Sequence, residues 1–181
     1  TGDKVTHSAL SLLDSIKLAS LIPSLSNAEP DASPASDRAH LPFFLYLHYM
    51  DVHGPYDPDD NLANCFADPA GQQDFVPFTW PTWWLWEKAE KTTPEKLQEM
   101  LPSLKERYDC SIRFVDEQIG IVLSRLEELR LEENTIIVVT SDHGEEFLEH
   151  GGTTHKGTVY QELIRVPLIF YVPGVEPTTI G

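Results

Sequence analysis

The chain has 181 residues, of which 41% are hydrophobic and 23% charged, which fits one soluble globular domain with a single core. Its formal net charge is −16, from 29 acidic against 13 basic residues, and a surface of that sign repels nucleic-acid phosphates. Nucleic acid is therefore not expected as a partner. No apolar stretch approaches the roughly 20 residues that a transmembrane helix needs, so no transmembrane segment is expected in this sequence.

The first part of the chain alternates periodic and irregular segments. Residues 3–20 carry apolar side chains at a helical period, which predicts an amphipathic helix. Residues 21–40 lose this periodicity and include several prolines, so we expect an irregular insert there. The aromatic and apolar run at residues 43–47 is typical of a buried strand. Residues 57–92 are again irregular and rich in proline, and they contain all the tryptophans, which predicts a variable loop region.

The second part of the chain is dominated by a long helical pattern. Thr93 followed by Pro94 is typical of a helix N-cap and first turn. Pro102 is expected to divide this region into a short helix and a longer one, because an interior proline removes a backbone hydrogen bond. The longer helix is predicted from one continuous apolar stripe, which consists of Leu104, Tyr108, Ile112, Val115, Ile119, Val122, Leu126 and Leu129.

Two further apolar runs predict strands after this helix. Residues 135–140 are β-branched throughout, and a strand that is apolar on both faces is typical of the middle of a helix-covered sheet. Residues 166–172 form the next run, which ends at Pro173 and Gly174. The order of elements predicts an α/β fold with a largely parallel sheet sandwiched between helices.

The two cysteines, Cys65 and Cys110, show neither a C-x-x-C motif nor a zinc-ligand spacing. Cys110 falls on the apolar side of the predicted helix, so we expect a buried structural thiol there. The cysteines leave the compartment open among periplasmic, secreted and cytoplasmic locations.

Polar segments rich in histidine and aspartate follow two of the predicted strands. In open α/β sheets ligands bind at the carboxyl ends of the strands, and those ends lead into residues 48–56 and 141–146. Asp142 and His143 offer a carboxylate and an imidazole on a tight turn, where Gly144 gives the backbone freedom. Such a pair suits Ca²⁺, Mg²⁺, Mn²⁺ or Zn²⁺, but two ligands are too few for any of these ions. We therefore expect a metal site whose remaining ligands come from elsewhere.

Three segments of the chain resemble the sulfatases of the alkaline phosphatase superfamily. Residues 134–145, NTIIVVTSDHGE, look like the metal-site strand and turn of that family. Residues 42–56, PFFLYLHYMDVHGPY, resemble the segment that delivers a sulfate-binding histidine. Residues 155–169, which begin HKGTVYQE, resemble the active-site lysine segment and the strand after it. The order and spacing of these segments carry the resemblance more strongly than any one motif, and they imply an alkaline phosphatase-like α/β fold.

The resemblance implies roles for individual residues. Asp142 and His143 would ligate the divalent ion, most commonly Ca²⁺. His53 would contact the ester group or its leaving oxygen, and Lys156 would hold a sulfate oxygen. These roles are chemically sensible because a metal, an ammonium and an imidazole can stabilise charge on the oxygens of a sulfate ester during cleavage. Structural or supporting roles are expected for three more histidines of these segments, His48, His150 and His155.

The nucleophile of such an enzyme is expected outside these residues. Sulfatases of this type use a formylglycine made from the Cys or Ser of a C/S-x-P-x-R motif, and no cysteine or serine of this chain stands in one. The resemblance implies that this motif, and the paired aspartates that complete the metal site, belong to a preceding segment. Residues 1–181 are therefore predicted to form the C-terminal part of an incomplete sulfatase catalytic domain.

The leading hypothesis for function is the hydrolysis of sulfate monoesters, either of a small molecule or of a glycan. A phosphonate or phosphodiester hydrolase, or a phospho-headgroup transferase, of the same superfamily is the first alternative, which the upstream nucleophile would distinguish. A non-catalytic fragment or pseudoenzyme is the second alternative. The sequence leaves the particular ester, the identity of the ion and the oligomeric state open.

Overall fold

The computed structural model describes residues 2–21, 42–54, 56, 93–155 and 157–179. The predicted insert at residues 21–40 lies outside these ranges apart from Leu21, and so does the whole of the predicted loop region at residues 57–92. The described elements are helix α1 (Gly2–Leu21), helix α2 (Pro94–Glu128), a 3₁₀ turn (Glu132–Asn134), strands β1 (Ile137–Thr140), β2 (Glu146–Phe147) and β3 (Thr153–Thr154), helix α3 (Gln161–Ile164) and strand β4 (Leu168–Tyr171). No helix in the described part of the chain is both long and apolar enough to cross a bilayer.

Helices α1 and α2 pack against each other and supply most of the main core. Burying a leucine or valine side chain stabilises the fold by roughly 1.5–3 kcal/mol. The Arg125 guanidinium of α2 also donates to the Asp14 carboxylate of α1 at 2.6 Å. Because both partners are exposed to solvent, which screens their charges, this ion pair contributes little to stability, and apolar contacts dominate. The buried residues of this core are Ala9, Leu13, Val122, Leu126 and Leu131.

Helix α2 is continuous, so the prediction that Pro102 divides it is wrong. The start of the helix is as predicted: the Thr93 hydroxyl accepts a hydrogen bond from the Lys96 N–H at 3.4 Å, and Pro94 occupies the first turn. An interior proline costs a helix about 3 kcal/mol. Leu104 and Met100, which flank Pro102, belong to one apolar cluster, and this packing holds the helix on both sides of the proline.

The buried face of α2 matches the predicted apolar stripe except at Ile112, which is 42% exposed. Cys110 and Ser111 are buried in that part of the helix. Cys110 is disulfide-bonded, so its predicted burial is confirmed but the prediction of a free thiol is wrong. The other cysteine of the sequence, Cys65, lies outside the described residues. A disulfide joins residues that are close in the fold, and spacing along the chain does not reveal that closeness.

Both strand pairings among the described residues are antiparallel. Strand β1 pairs with β4, with Ile137 opposite Tyr171 and Thr140 opposite Leu168, and β2 pairs with β3. The prediction of a largely parallel sheet is therefore not met by these pairings. The reason lies in residues 141–167, which leave the end of β1 and return to the same end of the sheet. Parallel neighbours require instead a connection that crosses from one end of the sheet to the other.

The predicted strand at residues 43–47 is extended but has no ladder with another described strand. Its side chains alternate as a strand requires. Phe43, Leu45 and Leu47 pack against the core of α1 and α2. Phe44 and Tyr46, by contrast, are 92% and 72% exposed. One face of this segment packs against the two helices, and the segment leads to His53.

Candidate functional site

The chain leaves strand β1 at a turn that contains Asp142 and His143. The Asp142 Oδ1 atom accepts a hydrogen bond from the His143 backbone N–H at 3.1 Å. The second carboxylate oxygen, Oδ2, lies 3.8 Å from the Nε2 atom of His143. That separation is shorter than the sum of two metal–ligand bonds of about 2.4 Å each, so both atoms can bind one ion. The donor set, one carboxylate and one imidazole, fits the predicted divalent cation.

The Asp142 carboxyl is held in its charged form. Its slight burial alone would raise the pKa, yet the pKa lies below its usual value. The backbone N–H groups of Asp142 and His143 and the nearby imidazoles of His143 and His48 stabilise the carboxylate and cause this lowering. A charged carboxylate is the form that binds a cation. His48, for which we expected a supporting role, thus lies within electrostatic reach of Asp142.

His53 and His143 have the same hydrogen-bonding arrangement. The Nδ1 atom of His53 lies 2.6 Å from the Gly54 carbonyl oxygen, and the Nδ1 atom of His143 lies 2.8 Å from the Gly144 carbonyl oxygen. A carbonyl oxygen only accepts hydrogen bonds, so Nδ1 is the protonated nitrogen of each ring. In the neutral imidazole Nε2 is then the atom that can bind a metal or accept a proton. For His143 this is the atom near Asp142 Oδ2.

His155 brings the two segments together. Its ring stacks on His143, with centroids 4.1 Å apart and planes inclined by 29°. It also meets His53 edge to face, with centroids 5.2 Å apart. Three imidazoles from distant parts of the sequence therefore form one cluster next to Asp142. Lys156, the next residue, lies outside the described residues, so its role stays a prediction.

A buried acid lies behind this cluster. The Glu145 side chain is only 4% exposed, and its Oε1 atom lies 3.2 Å from His155 Nδ1. The other oxygen, Oε2, accepts a hydrogen bond from the Tyr56 hydroxyl. The sequence did not single out Glu145 or Tyr56, because nothing in the Glu145-Glu146 pair indicates that both glutamates are buried. We found no sequence signal that would have identified them.

A second group of ligand-type side chains lies in the same loop region, formed by Glu146, His150 and Glu162. The Nδ1 atom of His150 lies 2.5 Å from Glu162 Oε1, and its ring stacks on Tyr160 at 3.6 Å. Glu146 Oε1 accepts hydrogen bonds from the N–H groups of His150 and Gly152, at 3.1 and 2.8 Å. These bonds tie the loop after β2 to helix α3, which agrees with the structural role expected for His150.

A cleft of about 380 Å³ opens beside the Asp142–His143 turn. Its volume is within the range of small-molecule sites. Charges of both signs and aromatic rings line its walls, so it offers contacts to both polar and apolar groups. The lining includes Lys105, Tyr108, His143, Glu145, Phe147 and Arg165.

Comparison with known proteins identifies the family. The model of the sulfatase family matches residues 30–180, which is most of the chain. The chain belongs to the sulfatase family. This confirms the resemblance that the three sequence segments indicated, and the family implies an alkaline phosphatase-like α/β fold.

Several sulfatases are similar to the chain over part of their length. The iduronate 2-sulfatase of Mus musculus is 33% identical over 152 residues, which cover 74% of this chain and 27% of that protein. The arylsulfatase of Clostridium perfringens is 29% identical over 141 residues, which cover 74% of this chain and 28% of that protein. The ulvan-active sulfatase of Formosa agariphila is 40% identical over 62 residues, covering 34% of this chain and 12% of that protein. The chain spans little more than a quarter of the first two relatives.

Proposed function

We propose that this sulfatase-family chain contributes half of an active site that hydrolyses sulfate monoesters with the help of a divalent cation, Ca²⁺ in the first instance. The observation that carries the proposal is the meeting of His53 and the Asp142–His143 turn around His155. Two segments that resemble different parts of a sulfatase site thus approach one another. The residues that would complete the site, including a formylglycine nucleophile, would come from outside residues 1–181.

Each of the residues has a distinct task in this proposal. The Asp142 carboxylate and the Nε2 atom of His143 hold the cation. A bound divalent cation polarises the sulfate oxygens and stabilises the negative charge that develops on them. His53 contacts the leaving oxygen through Nε2, since its Nδ1 donates to the Gly54 carbonyl. Lys156 supplies a positive charge to a sulfate oxygen.

A sulfated sugar is the substrate class that we propose before a simple aryl sulfate. Support comes from the relatives, two of which are named for iduronate and N-acetylgalactosamine. The cleft beside His143 carries Lys105 and Arg165 together with three acids, so it offers hydrogen-bond partners both to a sulfate group and to sugar hydroxyls. The disulfide at Cys110 favours a periplasmic or secreted location over the cytoplasm, because disulfides persist in oxidising compartments.

The test is an assay of the complete protein with 4-nitrophenyl sulfate, bis(4-nitrophenyl) phosphate and a phosphonate monoester. We expect turnover of the sulfate ester, its loss after treatment with a chelator and its recovery when Ca²⁺ is added. Faster turnover of the phosphorus esters would favour a phosphodiesterase or phosphonate hydrolase. Absence of turnover for every ester, together with absence of bound metal, would favour a pseudoenzyme.

A further inference from the structure

The burial of the Glu145 carboxylate needs a physical reason. Removing a carboxylate from water costs several kcal/mol unless it is paired and hydrogen-bonded. Glu145 lies two residues after His143, and its side chain is only 4% exposed, whereas the Asp142 side chain in the same turn is 81% exposed. Both of its oxygens have partners, Tyr56 on one side and His155 on the other.

Tyr56 is a fixed donor to this carboxylate. Burial raises the pKa of the Tyr56 hydroxyl strongly, and the hydrogen bond and charge of Glu145 raise it further. The hydroxyl therefore stays protonated and donates to Glu145 at every physiological pH. The ring is held by edge-to-face contact with Tyr108 at 5.4 Å and by Phe147 at 6.1 Å. Glu145 thus rests on a rigid apolar support.

His155 is the partner through which Glu145 can act on the site. A carboxylate only accepts hydrogen bonds, so Nδ1 is the protonated nitrogen of His155. This bond fixes the plane of the ring. The ring in turn packs flat on His143 and edge to face on His53. The orientation of His155 therefore limits where both of those imidazoles can lie.

We propose that Glu145 is a positioning residue that acts through His155, whose ring contacts both His53 and His143 and limits where these two imidazoles can lie in the site. The identity of the ester rests on the proposed function, whereas the positioning itself rests on the observed contacts of His155. Carboxylates that hydrogen-bond directly to ligating histidines typically contribute 10- to 100-fold to metal affinity or activity, and this range sets the scale for an effect of Glu145 transmitted through the His155 ring.

Two substitutions in the complete protein isolate the hydrogen bond from the packing. His155→Phe keeps a flat ring between His53 and His143 but removes the Nδ1 donor. Glu145→Gln keeps the shape of the side chain but removes its charge. We expect each to lower kcat for 4-nitrophenyl sulfate by roughly 10- to 100-fold, with KM changed much less. The double variant should be no slower than the slower single variant, because both act on one interaction, which His155→Phe removes and Glu145→Gln weakens.

The controls separate positioning from stability. Glu133→Gln changes an exposed acid of the 3₁₀ turn, outside the site, and should leave kcat unchanged. Thermal unfolding identifies any variant that fails to fold. If Glu145→Gln fails to fold, the kcat of folded His155→Phe tests the positioning role by itself. Unchanged kcat in folded His155→Phe, or effects that multiply in the double variant, would overturn the proposal.

The same variants distinguish this proposal from the proposed function. If the wild-type protein cleaves phosphorus esters and not sulfates, the proposed function fails, but the comparison of variants on the cleaved ester still tests the positioning. If it cleaves neither, the imidazole ¹⁵N resonances of His53 and His143 provide the readout. We expect them to shift in Glu145→Gln and to stay constant in Glu133→Gln. Identical spectra for wild type and Glu145→Gln would refute the positioning role.

Discussion

The two predicted metal ligands, Asp142 and His143, differ in the exposure of their side chains, and this difference affects how each can bind a cation. The Asp142 side chain is 81% exposed while that of His143 is 36% exposed and stacks on His155. The neighbouring N–H groups and imidazoles keep Asp142 charged without enclosing it. Asp142 is therefore available to bring a negative charge to a cation, whereas His143 brings an imidazole nitrogen in a fixed direction.

Removal of the Asp142 charge should affect the metal most. We expect Asp142→Ala in the complete protein to lose bound metal and activity together, and His143→Ala to weaken both to a smaller extent. Elemental analysis of the purified variants, combined with the aryl sulfate assay, measures the two effects. Glu133→Ala, which removes an exposed acid of the 3₁₀ turn, serves as the control. Full metal content in Asp142→Ala would exclude this turn as the metal site.

Lys156 is expected to affect the ester and not the metal. Lys156→Ala should retain the metal but lose about 3 kcal/mol of transition-state stabilisation, on the order of a hundredfold in kcat/KM. Lys156→Arg should restore part of the activity, because a planar guanidinium does not reproduce a compact ammonium. An unchanged kcat/KM in Lys156→Ala would remove this lysine from the site.

A role of His53 at the leaving oxygen predicts a particular dependence on the substrate. If His53 donates a proton or hydrogen bond to that oxygen, His53→Ala should be most harmful for esters with poor leaving groups. The measurement is kcat/KM for a series of substituted aryl sulfates that span a range of leaving-group pKa. A deficit that is equal for every ester would leave His53 as a positioning residue without an acid role.

At the level of elements, the loop after β1 and helix α3 meet at Gly144. The Gly144 N–H donates to the Leu163 carbonyl oxygen at 2.8 Å. A Cβ atom at position 144 would lie 2.0 Å from the Glu162 carbonyl oxygen. The obstructing atom belongs to the backbone and cannot rotate away as a side chain could. The close approach thus requires glycine, and it sets the position of the site loop against α3.

Gly144→Ala should therefore destabilise the protein. We expect a loss of about 2–3 kcal/mol, the upper part of the range for overpacked sites, and a lower Tm in thermal unfolding. Gly120→Ala is the matched control, because a Cβ atom there meets nothing within 4 Å. Since Gly120 lies inside helix α2, that substitution should stabilise the helix by up to about 1 kcal/mol. Equal Tm values for the two variants would contradict the close approach.

At the level of the whole molecule, the described surface is unusually apolar around the β1–β4 sheet. All of β4 is exposed: Leu168 by 62%, Ile169 and Phe170 by 60% and Tyr171 by 46%. Val138 of β1 is 48% exposed. The described residues therefore bury at most one face of β1, whereas burial of both faces was predicted. Contiguous apolar surface of this kind is typical of interfaces.

The 181-residue chain by itself should show no turnover of 4-nitrophenyl sulfate. The reason is that it contains no C/S-x-P-x-R motif from which a formylglycine nucleophile could form. Because β4 is exposed, the 181-residue chain should also bind an apolar dye such as ANS more strongly than the complete protein does. Robust cleavage by the purified chain would refute the prediction. The complete protein, assayed in parallel, provides the positive control.

The sequence by itself determined the features that depend on neighbouring residues. Apolar periodicity predicted helices α1 and α2, and β-branched or apolar runs predicted strands β1 and β4 within two residues of their ends. The Asp142–His143 turn was found because both ligand types are adjacent in the chain. Local periodicity reflects the side on which each element is buried, so it can be read before the fold is known.

The tertiary structure decided everything that depends on contacts between distant residues. These include the antiparallel pairing of β1 and β4, the continuity of α2 through Pro102, the disulfide at Cys110 and the cluster of imidazoles around His155. Glu145 shows the difference most clearly. Glutamate is usually exposed, so the Glu145-Glu146 pair predicts two surface acids, yet both residues are buried. Glu145 is buried where Tyr56 and His155 hydrogen-bond to its carboxylate, and the sequence does not show that these residues come together.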